Sequence, residues 1–397
     1  MAYSCGASVL ATMIAMLQML SQINQMVNRA AGKLLFIGLA GVGIYNWRLW
    51  QRDRALAVRL RNERPSVPAL SRTPQVSALV AAWDEHDHID AHICSFLALH
   101  YPDVELILCA GGTDDTLARA RRYANERVIV LEQQPGEGKQ RALARCLERA
   151  SGEIIYLTDA DCIYVEEALI RLLAPLVEEG EQVATGGSRP LDEQAGKLLP
   201  SYLWASDVVS SAHRPIYADG LLGRNAAITR QALDGGGGFD FPARTGTDYQ
   251  LAQRLLRGGC VIRYVGGSVV PSEYPETLST YRRKQSRWLR NLLIHGSRYR
   301  AKRDVYVTLR TVATGLAMVF APLAALVFGG GVLAPWLLLV AHAASSKLRY
   351  MLFTAWLHRR PVSIRLIAGI VPLTLIDFAI WALPILDLFD PKRREQW

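Results

Sequence analysis

The apolar positions of this chain follow two regimes. Between about Pro74 and Val265, short continuous apolar runs alternate with segments whose apolar residues recur every three or four positions. VSALVAA, VELILCA, RVIVL and the start of EIIYLTDAD read as buried strands. HIDAHICSFLALH, TLARARRYA and KQRALARCLERA read as amphipathic helices. Repeated strand–helix–strand units of this length predict an α/β domain with a mostly parallel sheet covered by helices. Ligands of such sheets sit beyond the carboxyl ends of the strands, so chemistry is expected in the loops that follow them.

The second regime lies at the two ends. From Val305 to Phe328 the only charge is Arg310; Gly329 to Gly331 interrupt the pattern, and VLAPWLLLVAHAA follows. Ile364 to Phe389 is apolar again apart from Arg365, Asp377 and Asp387. Near the start, SVLATMIAMLQML and LLFIGLAGVGIYNW flank the polar SQINQMVNRAAGK. At about 1.5 Å of rise per residue, runs of about 20 uncharged residues match a bilayer. Spans are therefore expected at Leu34–Trp47 and after Val305. The VLAPWLLLVAHAA run is short for a crossing and could be re-entrant. Basic residues on both sides of Ile364–Phe389 predict a segment broken or re-entrant at Pro372 and Pro384. The arginine-rich RLWQRDRALAVRLRNERP places the middle of the chain on the cytoplasmic side. The resulting division is a membrane segment and basic linker over 1–70, a cytoplasmic domain over 71–280, an interfacial helix over 281–304 and a membrane region over 305–397.

Composition adds a sign. The formal charge is +9, from 45 Lys and Arg against 36 Asp and Glu, which suits acidic lipid and phosphorylated substrates. The basic residues cluster beside the apolar segments, where anionic lipid accounts for them and nucleic acid is not called for. The six cysteines show no CxxC spacing and read as free thiols.

Three acids and a lysine carry candidate chemistry. Asp159 and Asp161 end the EIIYL strand with one residue between them, so alternate side chains point the same way. Such a pair can hold Mg2+ or Mn2+ and leave coordination positions for phosphate oxygens. A solvated strand-end turn is the plain alternative. Asp248 opens the helix through YQLAQRLL, with Thr245 or Thr247 as its cap and Gly258 as its stop. It is either a residue stabilised by the helix dipole or a general base. Lys139 follows Gly136-Glu137-Gly138, a tight loop suited to an anion. PGEGKQ is not a Walker loop, because Gln133 and Gln140 stand where Gly and Ser or Thr are required, and no strand is followed by GxGxxG.

Taken in order, these motifs resemble those of membrane-integrated family 2 glycosyltransferases with a GT-A fold. The chain is similar to the synthases of hyaluronan, chitin and cellulose and to ceramide glucosyltransferase. The likeness runs from about Gln75 to Asn291. It implies a GT-A-type nucleotide-sugar-binding domain flanked by transmembrane helices. Trp83-Asp84-Glu85, GEGKQRAL, TDAD, GGSRP, GRNAAITRQAL with GGFD, GTDYQLAQRLLRGG and KQSRW match successive family segments. By that resemblance Asp248 is the catalytic base, and Asp159 and Asp161 hold the metal. Ala82, Trp83, Glu85, Gly111, Asp114, Lys139, Asp159 and Arg287 face the donor. Arg224, Asn225, Thr247 and Trp288 face the acceptor.

The implied reaction is inverting transfer of a sugar from a nucleotide-sugar, a UDP-sugar by the resemblance, to a hydroxyl of a growing polysaccharide. It would take place at the cytoplasmic face of the cell membrane, in a multi-pass protein. Transfer of one sugar to a lipid acceptor is the alternative. Two departures stand out. Lys284 occupies the usual glutamine of QxxRW. Cys109 and Ala110 replace the acids that recognise uracil, with Asp114 and Asp115 just beyond.

Overall fold

The computed structural model of the chain describes residues 2–62, 66–241 and 245–388. Two compact units divide it: one of residues 60–308, the other of the helical residues up to 59 and from 309 to 385.

The first helix, α1 (Ala2–Asn62), is continuous. The polar run between the two apolar stretches is helical and not a linker. It contains no proline and one glycine, so nothing in it stops propagation. Its Arg29–Asn62 part is long and apolar enough to cross a membrane.

The central unit carries eight strands in one sheet. They are β1 (Val76–Trp83), β2 (Val104–Gly111), β3 (Val128–Glu132), β4 (Ile154–Leu157), β5 (Val183–Pro190), β6 (Tyr217–Ala218), β7 (Ala226–Thr229) and β8 (Ile262–Ser272). Their order is β3-β2-β1-β4-β7-β5-β8-β6. The half from β3 to β4 is parallel, as the alternating pattern predicts. β7 then runs antiparallel to both β4 and β5. Parallel pairing returns between β5 and β8, and β6 closes the edge antiparallel.

The helices of this unit are α2 (Ile89–Leu97), α3 (Thr116–Arg121), α4 (Gly138–Arg149), α5 (Glu166–Glu178), α6 (Leu198–Ala212), α7 (Arg230–Gly235), α8 (Thr247–Arg257) and α9 (Leu278–Arg298). They cover both sheet faces, which is why the strands are apolar at consecutive positions. Ala78, Val80, Leu106 and Leu108 pack with Ile89, Ile93 and Phe96 of α2 and Leu172 and Leu173 of α5. The intervening Leu79, Ile107 and Ile155 face Leu143 and Cys146 of α4 and Leu251 and Leu255 of α8. Both layers are fully buried, so truncating any of these leucines to alanine should cost about 2–5 kcal/mol.

Three further helices complete the chain: α10 (Lys302–Phe328), α11 (Leu333–His358) and α12 (Ile364–Leu388). Lys302–Leu326 and Ile364–Leu383 join the α1 segment as helices long and apolar enough to cross a membrane. Neither expected break occurs: α12 runs through both Pro372 and Pro384 without interruption. A proline removes one backbone donor, and a helix packed among others tolerates that loss. The interfacial helix ends at Arg298, and Arg300 turns the chain at φ +53° before α10 begins. The side chain of Asp387 and the basic tail PKRREQW lie outside the described residues.

Candidate active site

Three strand ends and two helix starts supply the candidate residues. Parallel pairing of β1 and β2 sets Ala82 opposite Ala110 and Trp83 opposite Gly111. Gly111 leaves no room for a side chain: a Cβ there would lie 2.6 Å from the Gln133 carbonyl oxygen and 3.1 Å from the Trp83 ring. Beyond the strand, Asp84 takes a left-handed backbone at φ +57° and accepts the Thr113 N–H at 2.5 Å. Glu85 donates its N–H to the Thr116 hydroxyl at 2.8 Å.

Asp114 lies in the loop after β2. One carboxylate oxygen accepts the Thr116 N–H at 2.9 Å, and the other meets the His86 ring at 2.8 Å. Partial burial opposes its charge, but the Thr116 and His86 bonds prevail and hold its carboxyl down at about 2. It therefore stays ionised and ties the loop after β2 to the loop after β1.

β4 stops at Leu157, short of both acids. Asp159 and Asp161 stand in the turn that follows, closed by the Cys162 N–H on the Asp159 carbonyl at 3.1 Å. A turn, and not strand alternation, presents them. Ring Nδ1 of the fully buried His92 meets the Cys162 carbonyl at 2.7 Å and braces the turn from α2. The expected threonine caps of the Asp248 helix are absent too. Gly246 is the N-cap of α8, at φ +68° and without a side-chain bond, while Gly258 is the C-cap. A Cβ on Gly246 would lie 2.7 Å from the His295 ring, so this corner admits no larger residue.

These segments converge on Lys139, in the first turn of α4. Its Nζ lies 2.7 Å from Asp159 Oδ1 and 3.4 Å from Asp248 Oδ1. Burial works against the ammonium, yet the two carboxylates outweigh it and push its pKa up. Asp159 mirrors this: burial is opposed above all by Lys139 and then Arg224, leaving its carboxyl at about 2. Gly223, in the loop before β7, lies directly against the Asp248 carboxyl, which a Cβ at that position would overlap. Its neighbour Arg224 donates to Ser272 Oγ at 2.8 Å. Burial disfavours the Arg224 charge, but Asp161 and Asp159 more than restore it. Arg287 of α9 is half-buried; burial lowers its pKa, opposed by the nearby Asp159 and Asp248.

Not every expected residue joins this cluster. Asn225 is fully buried, and its amide is spent inside the fold. Nδ2 donates to Gly187 O at 3.0 Å and Ser268 O at 3.1 Å, and Oδ1 accepts from Tyr156 at 3.3 Å. It braces β5, β7 and β8 and presents nothing to an acceptor. Thr247 is buried in the first turn of α8. Trp288 is 58% exposed, one residue beyond Arg287. Arg290, which the sequence suggests for a lipid surface, is buried instead.

One residue that sequence reasoning passed over, Glu273, belongs to the cluster, and so does Lys284, which it noted without a role. Glu273 follows β8 and donates its N–H to the Asp161 carbonyl at 3.1 Å. The signal for it was the one used for Asp159, an acid directly after an apolar strand. Lys284, the departure from QxxRW, pairs with Glu273 at 3.1 Å. Glu85 completes an acidic patch: burial, then Asp161, Asp159 and Glu273, push its carboxyl up to about 8.

The donor set suits a hard divalent cation. It offers the carboxylates of Asp159 and Asp161 in one turn, with Glu85 and Glu273 beside them. Among the described residues no group of three His, Cys, Asp or Glu forms a complete cage. A cation on Asp159 and Asp161 would take its other ligands from phosphate and water, as Mg2+ commonly does.

Comparison with known proteins agrees with this geometry. Residues 74–291, more than half of the chain, match the family model described as glycosyltransferase like family 2. An N-acetylglucosaminyltransferase of Azorhizobium caulinodans is 25% identical over 249 residues, covering 56% of this chain and 61% of that protein. A poly-beta-1,6-N-acetyl-D-glucosamine synthase of Staphylococcus aureus is 28% identical over 109 residues, 27% of this chain and 26% of the synthase. The matched region thus spans less than two thirds of either relative. Among solved structures, a mannosyltransferase from Pyrobaculum calidifontis in complex with GDP-Man and Mn2+ matches with a TM-score of 0.52. It is 19% identical and covers 91% of this chain and 99% of that one, a likeness of GT-A fold.

Proposed function

The chain belongs to glycosyltransferase family 2, and from that premise we propose that it is an inverting transferase acting at the cytoplasmic face of a membrane. It moves a sugar from a nucleotide-sugar, a UDP-sugar in this reading, to a hydroxyl of a growing polysaccharide. One observation carries the assignment. A single ammonium, Lys139, lies within 3.4 Å of both the strand-end acid Asp159 and the helix-borne Asp248. Residues 89 positions apart in the chain therefore meet at one point.

Asp248 takes the proton of the acceptor hydroxyl. The hydroxyl oxygen forms the new bond to the anomeric carbon as the bond to the diphosphate breaks, and the nucleoside diphosphate leaves with that electron pair. Asp159 and Asp161 would hold Mg2+ or Mn2+, which when bound would offset the charge on the departing diphosphate. Arg287, Arg224 and Lys139 supply positive charge for the same oxygens. Asp114 stands in for the missing uracil-site acids, fixed and ionised by His86 and Thr116. The poly-N-acetylglucosamine synthase relative and the apolar helices favour a polymer acceptor beside lipid.

A second reading, one sugar to a lipid, is favoured by Lys284. It stands at the glutamine position and is engaged by Glu273. A panel of nucleotide-sugars with protein in detergent, reading nucleotide release and product length with Mg2+ and Mn2+, tests both. No release with any donor would sink the assignment, and a single-sugar lipid product would decide for the second reading.

A further inference from the structure

Lys139 lies between two carboxylates of the cluster, Asp159 and Asp248. Its ammonium is 2.7 Å from an oxygen of Asp159, one of the two carboxylates assigned to the metal. A divalent cation on that oxygen would have a positive charge about 4 Å away, where repulsion remains strong even at protein-like screening. The lysine and the metal therefore compete for Asp159. Two routes out are open to the lysine. Asp248 lies 3.4 Å from the same nitrogen, and the side chain is 19% exposed in the first turn of α4, just after Gly136 and Gly138, both at positive φ. Neither route can keep Asp248 free as a base, except a move onto an anion that arrives from outside.

We propose that Lys139 is an internal counter-ion that exchanges partners during binding. In the free protein it neutralises Asp159 and Asp248, which weakens metal binding and masks the base. When a nucleoside diphosphate enters, Lys139 transfers to its phosphate oxygens. Asp159 is then released to the metal, and Asp248 to the acceptor proton. Metal and nucleotide become coupled through one side chain, beyond any direct contact between them, and the base is unmasked only when donor is present. This rests on the metal and base roles proposed above and adds the order in which they become available.

The test is Mn2+ binding to purified protein in detergent, read from the free Mn2+ resonance without and with UDP or GDP. Lys139→Gln removes the competitor. It should tighten Mn2+ binding without nucleotide about tenfold, within the usual range of coupling between sites, while weakening UDP binding. Lys139→Arg keeps the charge and should leave nucleotide-free Mn2+ binding as weak as in the wild type. A lysine that only supported the loop or only bound donor would give unchanged or weaker Mn2+ binding in Lys139→Gln, and that result overturns the exchange. If Lys139→Gln unfolds, tenfold tighter nucleotide-free binding in Lys139→Arg would also overturn it, because charge would then be irrelevant. Absence of Mn2+ binding in every protein, with either nucleotide, refutes the exchange together with the metal reading beneath it. Independent, normal Mn2+ binding in every variant refutes the exchange alone.

Discussion

Acids meet cations in both units, and the two arrangements differ. In the helical unit the acids are buried against cations of a neighbouring helix. Asp53 of α1 is 3% exposed and bonds Arg349 of α11, and Asp377 of α12, 2% exposed, lies 3.5 Å from Lys347. Asn46 and Ser346 add a polar contact between α1 and α11 at 3.4 Å, and Trp50 meets Trp356 edge-on. In the central unit, one lysine serves two carboxylates, and Glu85, Asp161 and Glu273 add more acid than Lys284 and the arginines pair tightly. Side-chain exposure there is 29% for Asp159 and 38% for Asp248. A matched, buried pair fixes helices against each other. A mismatched, half-open cluster stores charge for something that binds.

Substitution should separate these roles. Asp248→Asn removes the proposed base and should lower turnover by about 10²–10⁴-fold. Its thermal unfolding should move little, because Lys139 keeps Asp159. Arg349→Met should behave oppositely and destabilise the helical unit, by taking the Arg349 cation away from the buried Asp53 carboxylate. Adding Asp53→Leu should recover most of that loss, which unfolding in detergent can measure. If Asp248→Asn unfolds as readily as Arg349→Met, the contrast between binding cluster and structural pair is broken.

A smaller effect lies beneath the acidic turn. Burial holds His92 neutral down to about 4, although its bond to the Cys162 carbonyl favours the charged form. Unfolded, it takes up a proton near 6.5, so between those values the unfolded chain binds more protons and acid favours unfolding. Its contribution is complete above pH 6.5 and is lost as pH falls toward 4. His92→Asn keeps a donor for the carbonyl and removes the titration. The fall in stability across that window should shrink by about 1–3 kcal/mol. An unchanged slope in melts from pH 7 to pH 4.5 would show that neutral His92 does not brace the turn.

The parallel half of the sheet was legible because its strands are buried on both faces and separated by amphipathic helices. The antiparallel half was less so. β7 is four residues long and β6 two, too short for periodicity to register. The acids at strand ends were visible as residue types, but their presentation was not, because a turn after β4 does what alternation was expected to do. Gly223 and Asn225 illustrate a deeper limit. One is needed for what it lacks against Asp248, the other for bonds to backbone far along the chain. Neither requirement leaves a pattern in a single sequence. The prolines of α12 mislead in the opposite direction, since tertiary packing overrides a local breaker.

Lys284 offers the smallest and most discriminating test. Its pairing with Glu273 is partly exposed, so losing it should cost no more than about 1 kcal/mol. Lys284→Gln also restores the usual glutamine while releasing Glu273 beside Glu85 and Asp161. If Lys284 only balances charge, turnover should change within about fivefold, the kinetic equivalent of that energy. Product length on a gel with labelled donor should then be unaltered. If the glutamine position governs retention of the acceptor, products should lengthen at nearly constant turnover. A change in length without a change in rate would place Lys284 with the acceptor. A large fall in rate with unaltered length would place it with the acidic cluster, where its removal exposes one carboxylate too many.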